Sequence, residues 1–535
     1  MKTLAIIPAC EGSVIFPNKN IRIVNGKPLI YYVINNAIMS KYVDDIVVTS
    51  NSKEIINIAR QMGVKTRLRP DELCNTNVSL DTVVNDVFNV VDKNNYDIVV
   101  TMQSIAPTLK VQTLDDALQK FVNNDYDSII SVHANKKFYW ERKNGYYFPL
   151  QSKRCNRNML EPIYVETGAF LITKTCFIND KSRLGNNVYL YELDDDEAVD
   201  VYCFGDLKQV ENILCQKKVA IYVNGNNSIG LGHIYRVIQL ADELFSKPDI
   251  YFDYNQTDIN AFGKTTHNLI AIDGIQGLLD CIKNKQYDIF INDILSTDAD
   301  YMFQLKQLMP MAKIINFEDE GLGAKMADKV FNALYENASE ANVCAGEKYF
   351  IASKLFLLNE PIKIKDSVSK VFICFGGADP QNYSSRILKI ISASQYSCYD
   401  FTVVIGSANK NADELLKYNR FSHINVLFNV DNMAELMSKC DVAVTSRGRT
   451  GFELAFLGIP TISIAQNKRE TLHQFLRIEN GIDYLGLEPS NETIKNSLDK
   501  LLTSSKEFRL TLQRRMLAKD LRNGRKNVMS IIRNL

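Results

Sequence analysis

Three times along this 535-residue chain a short apolar run, rich in β-branched residues, passes straight into a polar turn that carries glycine. The runs are Leu4–Ile7 before Gly12, Val219–Val223 before Gly225 and Gly230, and Val371–Phe375 at Gly376-Gly377. Continuous apolar strands of this kind are buried on both faces, which requires helices above and below a mostly parallel sheet. The stretches between them agree: Leu29–Ser40, Glu54–Met62 and Leu114–Asn123 have helical amphipathic patterns, and Asp45–Thr49 and Asp97–Met102 read as further strands. The chain is also too long for one ordinary core. The reading is α/β throughout, in three parts. Residues 1–216 form the first, closed by a helical pattern over Asp206–Cys215; a new strand then restarts after Gln216-Lys217-Lys218. Residues 217–364 and 365–535, joined by the charged connector Lys363–Ser369, read as two Rossmann-like lobes with a ligand cleft between them.

Composition removes several classes of function. The 62 basic and 62 acidic residues cancel, and no like-charged run is long enough for a nucleic-acid arm or a membrane patch. No window approaches a membrane span, so no membrane insertion is expected, and the apolar start is too short for a signal peptide. The 11 cysteines are scattered, with no Cys-x-x-Cys pair. Cysteines within apolar runs, such as Cys281 and Cys374, are expected to be small buried hydrophobes in a reducing compartment. The expected location is the cytoplasm.

In the first part the turn Ala9-Cys10-Glu11-Gly12-Ser13-Val14-Ile15-Phe16-Pro17-Asn18-Lys19-Asn20 leaves the first strand directly. A nucleoside triphosphate needs backbone donors and a cation there; Gly12 and Ser13 allow close approach and Lys19 supplies charge. From spacing alone a plain strand-to-helix loop serves equally well. Further along stand Asn25-Gly26-Lys27-Pro28-Leu29, Leu68-Arg69-Pro70-x-Glu72-Leu73, Gln103 with Pro107, Glu166-Thr167-Gly168-Ala169 and Val199-Asp200. With these motifs the segment from Met1 to about Leu214 resembles the acylneuraminate cytidylyltransferases, which have a GT-A-like nucleotidyltransferase fold. The resemblance implies that Gly12, Ser13, Lys19, Asn20, Arg69 and Ser79 bind CTP, that Gln103 and Glu166 meet an acidic nine-carbon sugar, and that Asp200 holds Mg2+. It also implies a homodimer. Several positions depart from the family pattern: Cys10 replaces an arginine, Glu11 a glycine, Val14 a lysine, and Tyr202 a second metal-binding aspartate. Losing charge-assisted phosphate contacts worth roughly 1.5–3 kcal/mol each leaves three readings open: activation of an unusual substrate, binding without turnover, or a structural relic.

The second part opens on Gly230-Leu231-Gly232-His233-Ile234-Tyr235-Arg236, where an apolar strand turns into an amphipathic helix. Gly230 and Gly232 thus stand at a helix N-terminus, where backbone N–H groups point at an anion, with His233 beside them as a candidate base. A helix-capping or gap-filling histidine is the bland alternative. The further motifs are Asp293 after a strand, Asn316-Phe317-Glu318-Asp319, Phe375-Gly376-Gly377-Ala378-Asp379 and Glu453-x-x-x-x-Gly458-x-Pro460. With them, residues 218 to about 480 resemble the UDP-sugar hydrolase of pseudaminic acid synthesis and spore-coat glycosyltransferase-like proteins of the two-lobed GT-B type. The resemblance implies a UDP-sugar ligand, with His233 as catalytic base. Gly376 and Gly377 would lie at the diphosphate, Glu453 at the ribose, and Arg236 and Asp293 at the substrate. Arg447 and Arg449 stay unassigned, open to phosphate or to solvent. The basic residues Lys506, Arg509, Arg514, Arg515 and Lys519 read as the solvated face of a helix packed on the domain. The leading expectation is a bifunctional enzyme of nonulosonic acid synthesis. The alternatives are a surface-polysaccharide glycosyltransferase with a binding-only first part, and a non-catalytic nucleotide-sugar scaffold.

Overall fold

The computed structural model describes residues 1–535 apart from 12–15, 76, 92–94, 152, 227–229, 245 and 336–339. Gly12 and Ser13, expected in the nucleotide loop, lie outside the described residues. The chain divides into two compact units, Met1–Gln216 and Lys217–Leu535.

The first unit is built on a seven-stranded sheet: β1 (Thr3–Pro8), β2 (Asp45–Ser50), β3 (Lys65–Leu68), β4 (Ile98–Thr101), β5 (Ser128–Asn135), β6 (Ile163–Lys174) and β7 (Val188–Glu192). Their order is β7-β5-β6-β4-β1-β2-β3, with β6 antiparallel to both neighbours and the remaining pairs parallel. All six residues of β1 are buried. Successive side chains of a strand point to opposite faces. Accordingly Ala5 and Ile7 join the core on one side, with Ile30 and Leu118, while Leu4 and Ile6 join that on the other, with Val84 and Phe88. This double burial is why the strand shows no polar alternation.

The second unit repeats the same solution twice. Its first lobe comprises β8 (Val219–Val223), β9 (Asp249–Asp253), β10 (Asn268–Ile272), β11 (Ile289–Asp293), β12 (Lys313–Phe317), β13 (Lys329–Asn332) and β14 (Val343–Ala345). They are all parallel, in the order β10-β9-β8-β11-β12-β13-β14. The second lobe holds β15 (Lys370–Cys374), β16 (Asp400–Ile405), β17 (Ile424–Phe428), β18 (Val442–Ser446), β19 (Thr461–Ala465) and β20 (Ile482–Leu487), in the order β17-β16-β15-β18-β19-β20. Counting from each lobe's first strand, the second lobe runs 3-2-1-4-5-6, the doubly wound Rossmann order, and the first lobe runs the same with a seventh strand added at the end. Strand order reverses between β8 and β11 in one lobe and between β15 and β18 in the other. A crevice opens at the carboxyl ends of the strands at each reversal, and there such folds place ligands.

Among the helices packed on these two sheets are α1 (Gly232–Ala241), α2 (Tyr383–Ile391), α3 (Arg449–Phe456) and α4 (Gly524–Asn534). The last returns to the first lobe, where Val528, Met529 and Ile532 enter the core beside Val219, Ile221 and Val237. Arg525 in α4 donates to the main-chain oxygens of Gln239 (3.1 Å) and Ala352 (3.2 Å).

Two expectations from sequence are corrected here. Cys374 is buried, but Cys281 is exposed. The basic face near the C-terminus is only partly solvated, because Arg509 is fully buried and donates to the Asp366 carbonyl at 2.9 Å.

Candidate functional site

In the first unit the switch between β1 and β4 gathers several of the residues singled out from sequence. Asn20 is buried; its amide donates to the Cys10 carbonyl at 2.7 Å and its carbonyl oxygen accepts from the Ser104 hydroxyl at 2.7 Å. It thereby ties the loop leaving β1 to the segment leaving β4. Beside it the Gln103 N–H donates to the Gly168 carbonyl at 2.9 Å, and the Gly168 N–H donates to both carboxylate oxygens of Asp200 at 2.9 Å. Lys19 lies over the Tyr202 ring, its ammonium 5.6 Å from the centroid. Burial raises the Asp200 carboxyl to about 6; the Gly168 N–H, Lys19 and Tyr202 pull it down by less. Burial lowers Lys19.

Arg69 stands one strand away, buried, donating to the Thr49 carbonyl at 3.1 Å. Ser79 and Glu166 are not drawn into this cluster by any described hydrogen bond. Ser79 caps the helix Leu80–Val90, accepting from the Thr82 N–H, and Glu166 is exposed on β6. For magnesium the chain itself offers one carboxylate, Asp200. Asp200 is a single carboxylate whose oxygens already face Gly168, Tyr202 stands two residues on, and no group of three metal-binding side chains occurs among the described residues. A resident Mg2+ is held by one or two carboxylates together with substrate phosphates, so the protein's own share here is thin.

The second unit builds a tighter constellation at the switch between β8 and β11. His233 and Arg236 are spaced i, i+3, so both project from one face of α1. That face meets Asp293, the last residue of β11. The His233 Nδ1 lies 2.6 Å from Asp293 Oδ1, and Arg236 forks onto the same carboxylate with Nε–Oδ2 at 2.7 Å and Nη2–Oδ1 at 2.6 Å. Asp293 is fully buried and Arg236 nearly so. Burial by itself would raise Asp293, but Arg236 and His233 overcome it and hold the carboxyl at about 2. The His233 Nε2 has no partner among the described residues.

Glu318, met in sequence only as part of a motif, the unassigned Arg447 and Arg449, and Arg469, which no motif includes, complete this site. Glu318, at the end of β12, has a φ of +52°, a conformation that costs a non-glycine residue roughly 1–3 kcal/mol and clusters at functional sites. It is buried and accepts from Arg236 Nη1 at 3.4 Å and from the Leu334 N–H at 3.3 Å. From the second lobe, Arg469 reaches the Tyr335 hydroxyl and, at 3.3 Å each, the carbonyls of Leu295 and Glu318. Arg449 is half-buried rather than solvated; it donates to the Ile351 carbonyl at 2.7 Å and covers the Phe350 ring. Arg447 is buried over the Tyr484 ring, 3.6 Å from its centroid. No local pattern announces Arg469 or assigns roles to Glu318 and Arg449, because the contacts of the two arginines cross between the lobes.

At the second lobe's own switch, β15 runs into Gly376, whose φ of +74° is open to glycine and costly for other residues. A side chain on Gly406 would collide with the Gly377 Cα at 2.4 Å, so the turn is packed main chain on main chain. The Asp379 carboxylate accepts from the N–H groups of Tyr383 (2.9 Å) and Ser384 (2.8 Å) at the start of α2. Glu453, in α3, makes no described hydrogen bond; burial raises its carboxyl to about 7, opposed by Arg449.

The fold and these sites define a nucleotidyltransferase unit followed by a GT-B-like unit of two Rossmann lobes. A profile of the Cytidylyltransferase family matches residues 4–225. The pseudaminic acid cytidylyltransferase of Campylobacter jejuni is 33% identical over 179 residues, 32% of this chain and 77% of that protein. Through its first unit the chain belongs to the cytidylyltransferase family, whose members depend in general on magnesium. An uncharacterized protein of Methanocaldococcus jannaschii is 32% identical over 286 residues, 49% of this chain, and the match spans only 58% of that relative's length. A Helicobacter pylori protein named as pseudaminic acid cytidylyltransferase and UDP-2,4-diacetamido-2,4,6-trideoxy-beta-L-altropyranose hydrolase is 23% identical over 492 residues, covering 88% of this chain and 89% of that one. Among the described residues no helix is long and apolar enough to cross a membrane.

Proposed function

We propose that the chain is a bifunctional nucleotide-sugar enzyme, in which the second unit hydrolyses a UDP-linked amino sugar and the first transfers CMP from CTP to an acidic nine-carbon sugar. The observation that carries the first half of this reading is His233 braced on Asp293 at the switch between β8 and β11. An ionised Asp293 accepts the Nδ1–H and so fixes the tautomer with Nε2 as the basic nitrogen. His233 Nε2 then takes a proton from water as the water oxygen bonds to the anomeric carbon; the bond from that carbon to the UDP oxygen breaks, and UDP leaves with the electron pair. We assign the stabilisation of the leaving diphosphate to backbone N–H groups at the start of α1 and at Gly377. Glu453 accepts from the ribose hydroxyls.

The test is UDP release from UDP-linked acetamido sugars. His233→Ala should lower the rate roughly 10²–10⁴-fold, the usual worth of a general base. An unchanged rate removes His233 from the mechanism.

For the first unit the residues offered to CTP are Lys19, Asn20 and Arg69, with Gln103 and Glu166 toward the sugar. A second reading is favoured there by Asp200 and Tyr202: binding of a cytidine nucleotide without transfer, beside a second unit that passes its sugar to an acceptor rather than to water. Titration calorimetry with CTP and magnesium, followed by assay of pyrophosphate release with keto-acid sugars, separates the two. Binding with release supports transfer, and binding without release across the panel supports the second reading. No binding at all leaves the first unit without a nucleotide role.

A further inference from the structure

Arg449 combines three observations that the hydrolytic mechanism does not use. It begins α3 in the second lobe, yet its side chain runs against the first lobe. A Cβ placed on Gly232 would come 3.0 Å from Arg449 Cδ, so the arginine's stem passes close over the start of α1 at a position that carries no side chain. The guanidinium is also short of partners. Of its five N–H donors, one described bond is made, to the Ile351 carbonyl at 2.7 Å. It is, finally, a second cation in a place that already holds one: burial and the nearby charge of Arg236 both lower its pKa, while Glu453, Glu318 and Asp293 offset them. Where Arg236 is forked onto a carboxylate, Arg449 is held by one carbonyl and a ring face, and it is half-buried at the start of α1 with its remaining donors unused among the described residues.

We infer that Arg449 is a diphosphate-binding residue, delivered by the second lobe past Gly232 so that its charge meets the phosphates of a UDP-sugar beside His233. The site is therefore composite: the first lobe supplies the base and its brace, and the second lobe supplies the counter-charge of the leaving group. This rests on the UDP reading of the second unit, and it assigns to Gly232 a steric role separate from any hydrogen bond to an anion.

The test uses the full chain and three probes measured by titration calorimetry: UDP, UMP and uridine. Measured well above pH 7, where Glu453 is ionised, Arg449→Met should weaken UDP roughly 10- to 100-fold, the worth of one or two charge-assisted hydrogen bonds, and leave uridine within about twofold. Arg449→Lys should recover part of the loss, and UMP should fall between the other two. Gly232→Ala, which makes the arginine's stem give by a few tenths of an ångström without touching its charge, should show a smaller loss for UDP with the same selectivity over uridine. Equal weakening of UDP and uridine by Arg449→Met, or no change in either, would overturn the assignment; thermal unfolding of each variant identifies one that has merely failed to fold, and Arg449→Lys then decides. Failure of the wild-type chain to bind either UDP or uridine would bring down the UDP reading itself, and this inference with it.

Discussion

Asp293 shows how much of the second unit's chemistry one residue can hold. It is fully buried, with Arg236 forked across it and His233 on one of the same oxygens. Replacing it with asparagine keeps the shape but removes the charge, leaving Arg236 as a buried cation with only Glu318 near. Breaking a buried pair in this way costs about 3–5 kcal/mol. Asp293→Asn should therefore lower the thermal midpoint of the second unit as well as UDP release, whereas His233→Ala should lower release alone; scanning calorimetry beside the assay checks the split. Glu453 yields a different signature. Burial raises its carboxyl to about 7, so in the free protein it is protonated below that pH and a full acceptor only above it. If it holds the ribose diol, uridine affinity should rise between about pH 6 and 8, and Glu453→Gln should flatten the rise. Calorimetry with uridine, which carries no phosphate to titrate, is the clean measurement.

At the scale of elements, strand followed by glycine turn followed by helix is a local pattern, and for this reason the α/β class is legible in the sequence. The runs Val219–Val223 and Val371–Phe375 have no polar alternation because both faces of their sheets are covered. The spacing of His233 and Arg236 is equally local, one turn of α1. Asp293 follows in sequence 60 residues later, and only the reversal of strand order sets β11 beside β8. Arg449, Arg469 and Glu318 lie beyond such reasoning, because their neighbours come from the opposite lobe or depend on one unusual backbone angle. Arg509 misleads for the same reason: a basic residue on a basic helix reads as solvated until its tertiary partner, the Asp366 carbonyl, is known. The segment after β19 carries its own prediction. His473 is buried with Nδ1 2.6 Å from the Arg447 carbonyl, and burial lowers its pKa to about 4. The unfolded chain binds that proton near 6.5, so between about pH 6.5 and 4 it holds more protons than the native state and stability falls with acid. Chemical denaturation of the second unit across that range should show the fall, and His473→Gln should make it shallower.

At the scale of the whole molecule, each unit has its own cores and its own switch-point crevice. The first unit's sheet contains one antiparallel strand, and Asp200 and Gln103 both converge on Gly168 near it. In the second unit two parallel sheets of the same winding divide the labour, one presenting a braced histidine and the other glycine turns, Glu453 and the arginines. The path of the chain through that unit governs how it can move. The polypeptide leaves the first lobe after β14 to build the second, and returns through α4, whose Arg525 takes hold of the Ala352 carbonyl next to the Ile351 carbonyl that Arg449 holds. A single crossing would leave the lobes on a swivel, free to twist as well as to part. Two crossings, pinned at neighbouring peptide groups, tie the lobes like a door on paired pins: any twist of one lobe against the other would have to draw α4 out of the first lobe's core.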